Sequence, residues 1–176
     1  MSLTRTRDEG RLRKIGRMLG NDWLELLRMR ANTAYVHQNA ALATGNFADV
    51  QHFTSDAYRR ELARVATRQF KTGELVASWR LHALVRAPDV VCARLEEILN
   101  KDEHFAQVAL RLVTDQSLEI RDRSGVLVRG SHDAPVRVTE YLLFERKMWV
   151  PTDQWTLVKR LQESDPQSLV PSHLTS

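Results

Sequence analysis

Residues Phe105–Gly130, FAQVALRLVTDQSLEIRDRSGVLVRG, decide the fold, because they form the longest stretch of the chain with one consistent period. Ala106, Val108, Leu110, Leu112, Leu118 and Ile120 fall on one face of an extended backbone, and Gln107, Arg111, Asp115 and Glu119 fall on the other. A two-residue period of this kind marks a half-buried β-strand. Asp122, Arg123, Ser124 and Gly125 supply turn chemistry, and Val126, Leu127 and Val128 run back, so the stretch predicts a long antiparallel hairpin.

Working outward, the same period governs both flanks. Leu75, Ala77, Trp79, Leu81, Ala83 and Val85 alternate with polar residues until Pro88 breaks the strand, and Val90 to Leu99 is the next strand. Asn100 to Glu103 form a charged loop into the hairpin. Downstream, an Asp133-Ala134-Pro135 turn leads into a strand from Val136 to Trp149, and Gln154 to Leu161 closes the sheet. Before Gly73 the period is helical. Asn21 is a candidate cap for a helix carrying Trp23, Leu27, Ala31, Ala34, Tyr35, Gln38, Ala41 and Leu42, which Gly45 stops. A short helix covers Phe47 to His52, and Thr54 or Ser55 caps a third with Tyr58, Leu62, Val65 and Phe70 on its apolar side. Helices first and strands afterwards predict an α+β fold, N-terminal helices packed on a strongly curved antiparallel sheet that wraps into a cone. The organisation is a basic N-terminal arm over 1–20, a cone-shaped domain over 21–162 and an irregular tail over 163–176.

The chain of 176 residues is long enough for one well-buried core. No run approaches the roughly 18 to 20 apolar residues of a membrane-spanning helix, so membrane contact is expected to be peripheral. Cys92 is the single cysteine, which excludes an internal disulfide framework. The charge is concentrated: Arg5, Arg7, Arg11, Arg13, Lys14 and Arg17 face only Asp8 and Glu9, an excess of four that equals the net charge of the whole chain. A basic arm on a neutral domain points to RNA or an acidic lipid surface, the alternative being a solvated or targeting-derived tail. Arg59, Arg60 and Arg64 on the third helix are second candidates for polyanion contact, against a plain solvated face.

Catalytic motifs are absent. There is no Gly-rich phosphate loop, no nucleophile elbow, no cysteine pair and no His-Glu-x-x-His, and the six histidines lack ligand spacing, so neither a metal nor another cofactor is expected. Glu140, Asp115, His82 and Tyr141 are polar residues within strands and would be the acid/base candidates if the cone held a pocket. The simpler reading places them on the solvent face, or pairs Glu140 with an arginine of the neighbouring strand. Trp79, Trp149, Trp155, Phe105 and Phe144 are read as core in preference to stacking platforms for bases.

One family shares the hairpin and the strand after it. Phe105, Gln107, Arg111, Thr114, Gln116, Gly125 and Gly130, then Glu140, Tyr141, Phe144, Glu145 and Arg146, then Trp155, resemble the C-terminal domain common to the translocase subunit Tim forty-four and the mitochondrial large-subunit ribosomal protein forty-five. Ala34, Tyr35, Ala40 to Gly45 and the Trp79-Arg80-Leu81 run agree, and the Glu-Tyr-x-x-Phe-Glu run looks closer to the ribosomal branch. The resemblance implies a nuclear-transport-factor-two-like cone and a protein that is not an enzyme. It further implies matrix location at the inner membrane and contact with mitochondrial large-subunit ribosomal RNA, neighbouring ribosomal proteins and the insertase. The expected role is at the polypeptide tunnel exit, tethering the ribosome for co-translational insertion. Alternatives are a peripheral module of the import translocase, and a cone-fold small-ligand binder or enzyme.

Overall fold

The computed structural model describes residues 3–70, 73–98 and 103–162. Most of the expected loop before the hairpin, and the expected tail over 163–176, lie outside them. The α+β class is as expected: helices α1 (Leu3–Leu19), α2 (Trp23–Thr44) and α3 (Asp56–Phe70) precede a strongly curled, open antiparallel sheet. Its strands are β1 (Leu75–Leu84), β2 (Asp89–Glu97), β3 (His104–Asp122), β4 (Leu127–Arg129), β5 (Val136–Lys147) and β6 (Thr156–Leu161). A 3-10 turn, Asp49–His52, stands where the short helix is expected.

Strand β3 is the spine. One edge pairs first with β2, from His104 to Arg111, and then with β1, from Thr114 to Asp122. The other edge pairs with β5 over Phe105–Gln116 and briefly with β4. The break between the two partners falls at Pro88, whose carbonyl accepts the Nε–H of Arg28 on α2 at 2.9 Å. Register shifts at Leu81/Ala83 in β1 and Val90/Cys92 in β2 add bend where the edge changes partner.

The alternation of β3 sorts its side chains as expected. Ala106, Val108, Leu110 and Leu112 are fully buried on the concave face, against Leu27, Ala31, Ala34 and Tyr35 of α2. The convex face is less polar than the pattern suggests: Gln107 is also buried, and so is Ala109, which clusters with Leu143 and Leu161 under Val91, Cys92, Tyr141 and Val158. Gln107 donates there from Nε2 to Glu145 at 2.5 Å, while its buried Oε1 has no hydrogen-bond partner among the described residues.

Gly45 ends α2 in the left-handed region, its N–H bonded to the carbonyl of Ala41 at 2.8 Å. Ser55 caps α3, its Oγ accepting the N–H of Tyr58 at 3.2 Å. Asn21, by contrast, is not the cap of α2. Asp22 occupies that position without a side-chain cap bond, because Gly20 ends α1 and turns the chain directly into the next helix. Of the aromatics read as core, Phe144 and Trp155 are buried, Trp79 and Phe105 are half-buried, and Trp149 is exposed. Strand β5 ends at Lys147, so Trp149 lies in the following turn and leaves the sheet's core face.

Between α2 and the sheet the core holds a polar layer. The Tyr35 hydroxyl lies 3.3 Å from Thr114 Oγ1 and donates to Gln116 Oε1 at 3.2 Å, while Tyr58 donates to Gln38 Oε1 at 2.6 Å. Burial pushes both phenols above their ordinary value, and at Tyr35 the negative field of Glu140 adds to it. A proton held more tightly folded than unfolded makes stability fall as pH rises past the unfolded tyrosine value of about 10. The stabilisation is complete below that pH and is lost as pH climbs toward the folded value. Urea unfolding from about pH 9 to 11 is therefore expected to show a falling midpoint, with a shallower fall in Y58F than in the wild type. Equal slopes would mean that Tyr58 ionises as freely folded as unfolded.

Candidate polyanion interface

The basic N-terminal stretch is helix α1, and it is docked. Leu12, Ile15 and Leu19 recur at three- and four-residue steps and face the core, with Ile15 fully buried. α1 lies on β2 and against the start of α2. Gly16 lets Trp23 come close: a Cβ at Gly16 would stand 3.1 Å from Trp23 Nε1. Trp23 in turn meets Trp155 with ring centroids 5.9 Å apart, so α1 reaches the far side of the sheet through two aromatic rings.

Docking divides the basic residues into two kinds. Arg11 is half-buried and donates to the carbonyl of Ala93 on β2 at 3.0 Å and to Asp8 at 3.2 Å. Its charge is thereby spent on attachment. Arg13, Lys14 and Arg17 are exposed. Lys14 Nζ stands 3.2 Å from His104 Nε2 and Arg13 Nε donates to the carbonyl of Glu9 at 3.3 Å, so Arg17 is the least constrained of the three. Arg5 and Arg7 belong to the first turns of α1, and their side chains lie outside the described residues.

The second basic set is separate. Helix α3 packs on α2, β1 and β6, away from the β2 seat of α1. Arg60 and Arg64 are exposed, but Arg59 is held by Asp56 at 2.9 Å and reaches Gln51 at 3.5 Å. Arg68, one turn beyond Arg64 and also exposed, completes a ridge at four-residue steps that the sequence reading left out of its contact set. That spacing alone could have found it.

The acid/base candidates are not brought together. Asp115 and Tyr141 lie on the convex face, Asp115 in a two-pronged pair with Arg137 at 2.9 and 3.1 Å that lowers its pKa. Glu140 is on the concave face, paired with Arg160 of β6 as the simpler reading expects. His82 Nε2 lies 2.7 Å from Ser117 Oγ, and that oxygen is 2.7 Å from His132 Nδ1. Among the described residues no group of His, Cys, Asp and Glu could hold a metal ion, and no helix is long and apolar enough to cross a membrane.

With this geometry in place, comparison with known proteins gives the family. The sequence model of the Tim44-like domain matches residues 24–162. The chain belongs to that family. The match covers α2, α3 and all six strands, and leaves α1 before it. Among curated relatives, the chain is 28% identical over 127 residues to the large ribosomal subunit protein mL45 of Drosophila melanogaster, covering 72% of this chain and 34% of that protein. It is 35% identical over 80 residues to mL45 of Bos taurus, 46% of this chain and 26% of the relative. For mL45 of Xenopus tropicalis the figures are 39% over 79 residues, 45% and 25%. The chain thus matches only about a quarter to a third of the length of these relatives.

If α1 is an integral part of the domain, I15A is expected to cost about 2 to 5 kcal/mol, the usual range for a fully buried aliphatic residue cut to alanine. Thermal unfolding with amide exchange checks it: α1 amides should exchange faster in the variant. Unchanged stability and exchange would mean that α1 does not need its seat on β2.

Proposed function

We propose that this chain is a non-catalytic component or receptor of the mitochondrial large ribosomal subunit, placed near the polypeptide tunnel exit and peripheral to the inner membrane. The observation that carries the reading is the repeated likeness to mL45 proteins across a domain whose core is built as a Tim44-like domain. The docked α1 supports it physically. A helix fixed by Leu12, Ile15 and Leu19 presents Arg13, Lys14 and Arg17 as one positioned basic face, which loses less entropy on binding than a loose arm.

Each lysine or arginine near an anionic bilayer contributes on the order of 1 kcal/mol, and contacts to RNA phosphates make binding salt-dependent. Three exposed charges on α1 and the arginine ridge on α3 therefore steer the domain, and ribosomal RNA with neighbouring proteins supplies the rest. The membrane and insertase contacts follow from the same basic faces. A peripheral module of the protein import translocase is the second reading, favoured by the family to which the chain belongs.

Gradient sedimentation of a mitochondrial lysate separates the two. The protein is expected in the large-subunit fractions at both low and high salt. Recovery with membranes and never with ribosomes would transfer it to the translocase reading.

A further inference from the structure

We propose that the outer face of α2 is a docking surface for one amphipathic helix of another protein, with apolar residues at three- and four-residue steps and a carboxylate beside them. Helix α2 carries two apolar stripes. Trp23, Leu27, Ala31, Ala34 and Leu42 are buried on the side that meets the core. Leu26, Met29, Thr33, Val36 and Ala40, at steps of three and four, are exposed on the other side, Leu26 by 54% and Met29 by 59%. At about 100° per residue the second stripe lies roughly opposite the first. A surface helix needs one such stripe for its own core, so the second marks a face built to be covered.

The N-terminal half of the outer stripe borders a groove of about 410 Å³. Trp23 and Trp155, both buried, lie at its floor, and Leu26 and Met29 line it from α2. Phe53 forms a further wall, stacked on His37 of α2 with ring centroids 4.9 Å apart. The walls are therefore set before any partner arrives, which lowers the ordering cost of binding.

Two guanidinium groups line the same groove and fix the charge of its occupant. Arg30 lies 5.0 Å over the Phe53 ring and donates to the carbonyls of Trp155 and His52, at 2.5 and 2.6 Å. Those carbonyls orient it without cancelling its charge, and burial lowers its pKa against the opposing field of Asp153. Arg146 Nη2 donates to the carbonyl of Pro151 at 3.4 Å, while its Nε is buried with no hydrogen-bond partner among the described residues. A carboxylate supplies the missing acceptor. RNA phosphates would also do so, but they would leave Leu26, Met29 and Val36 uncovered. A flat bilayer surface does not reach the floor of a groove, and a second copy of this chain would press a cationic groove against its own image. A partner helix covers the stripe along its length and carries its acid on the adjoining turn.

The test titrates the full chain into a fluorescent helical peptide of about 18 residues, with Leu at three- and four-residue steps and Glu beside them, and into its Gln-for-Glu counterpart. Anisotropy is expected to show saturable binding of the Glu peptide and about tenfold weaker binding of the Gln peptide. R146Q should abolish that preference. L26S/M29S, changed at exposed positions, should weaken both peptides at least about tenfold with thermal unfolding unchanged, and M29Q alone serves if the double variant does not fold. No saturable binding of the Glu peptide by the wild type would overturn the proposal, as would unchanged affinity in a folded L26S/M29S or M29Q. Flotation with phosphatidylglycerol-containing vesicles, or binding to duplex RNA, that is lost in L26S/M29S would overturn it too, by giving this face to lipid or to RNA.

Discussion

A strand of 19 residues needs hydrogen-bond partners along both edges without outrunning its own core, and the rest of this structure answers that constraint. Straight, β3 would run roughly 60 Å, whereas a compact chain of this size has a radius of gyration of only about 16 Å. The strand therefore has to curl. It takes β2 and then β1 along one edge, and the register shifts beside the Pro88 break bend the sheet where the partner changes. Curling makes the concave face, α2 fills most of it, and the unfilled remainder is a cavity at the mouth of the cone.

The same curvature explains where charge is available. The concave face is occupied by apolar side chains and a hydrogen-bonded polar layer, and the convex face carries cross-strand ion pairs such as Asp115 with Arg137. Cations exposed to a polyanion are found on the helices outside the sheet, such as Arg17, Arg60, Arg64 and Arg68, and also on its strands, as Arg80, Arg129 and Lys159. α1 uses Leu12, Ile15 and Leu19 to hold on to β2, and Arg11 to bind its backbone, which leaves Arg13, Lys14 and Arg17 outward. Shape and charge are coupled through one helix: its apolar side fixes the orientation of its basic side.

Most of the fold was legible because period two is unambiguous over β3 and β5, and because Gly45 and Ser55 stand at helix ends where their chemistry requires them. The docking of α1 was less legible. Six basic residues dominate its composition, and the spacing of Leu12, Ile15 and Leu19 was the signal that it packs, but its seat depends on Trp23 closing over Gly16, a tertiary contact. The burial of Gln107 was hidden for a related reason. Alternation says which face a residue is on, and says nothing about whether neighbouring strands cover that face, as β2 and β5 do here with Arg94 and Glu145 on either side of Gln107. The Glu140–Arg160 pair was anticipated from cross-strand pairing, whereas the cavity beside it arises only from the path of the segment that joins β4 to β5.

The most direct measurement is the salt dependence of large-subunit binding by the wild type and by R13Q/K14Q/R17Q. A helix that presents its outer face to phosphates should lose slope in a plot of log affinity against log salt, by up to about 0.9 for each contact removed if the RNA is duplex. The expected result is a weaker and flatter dependence in the triple variant, with unfolding unchanged. An identical slope in the two proteins would contradict the assignment and remove α1 from the contact surface.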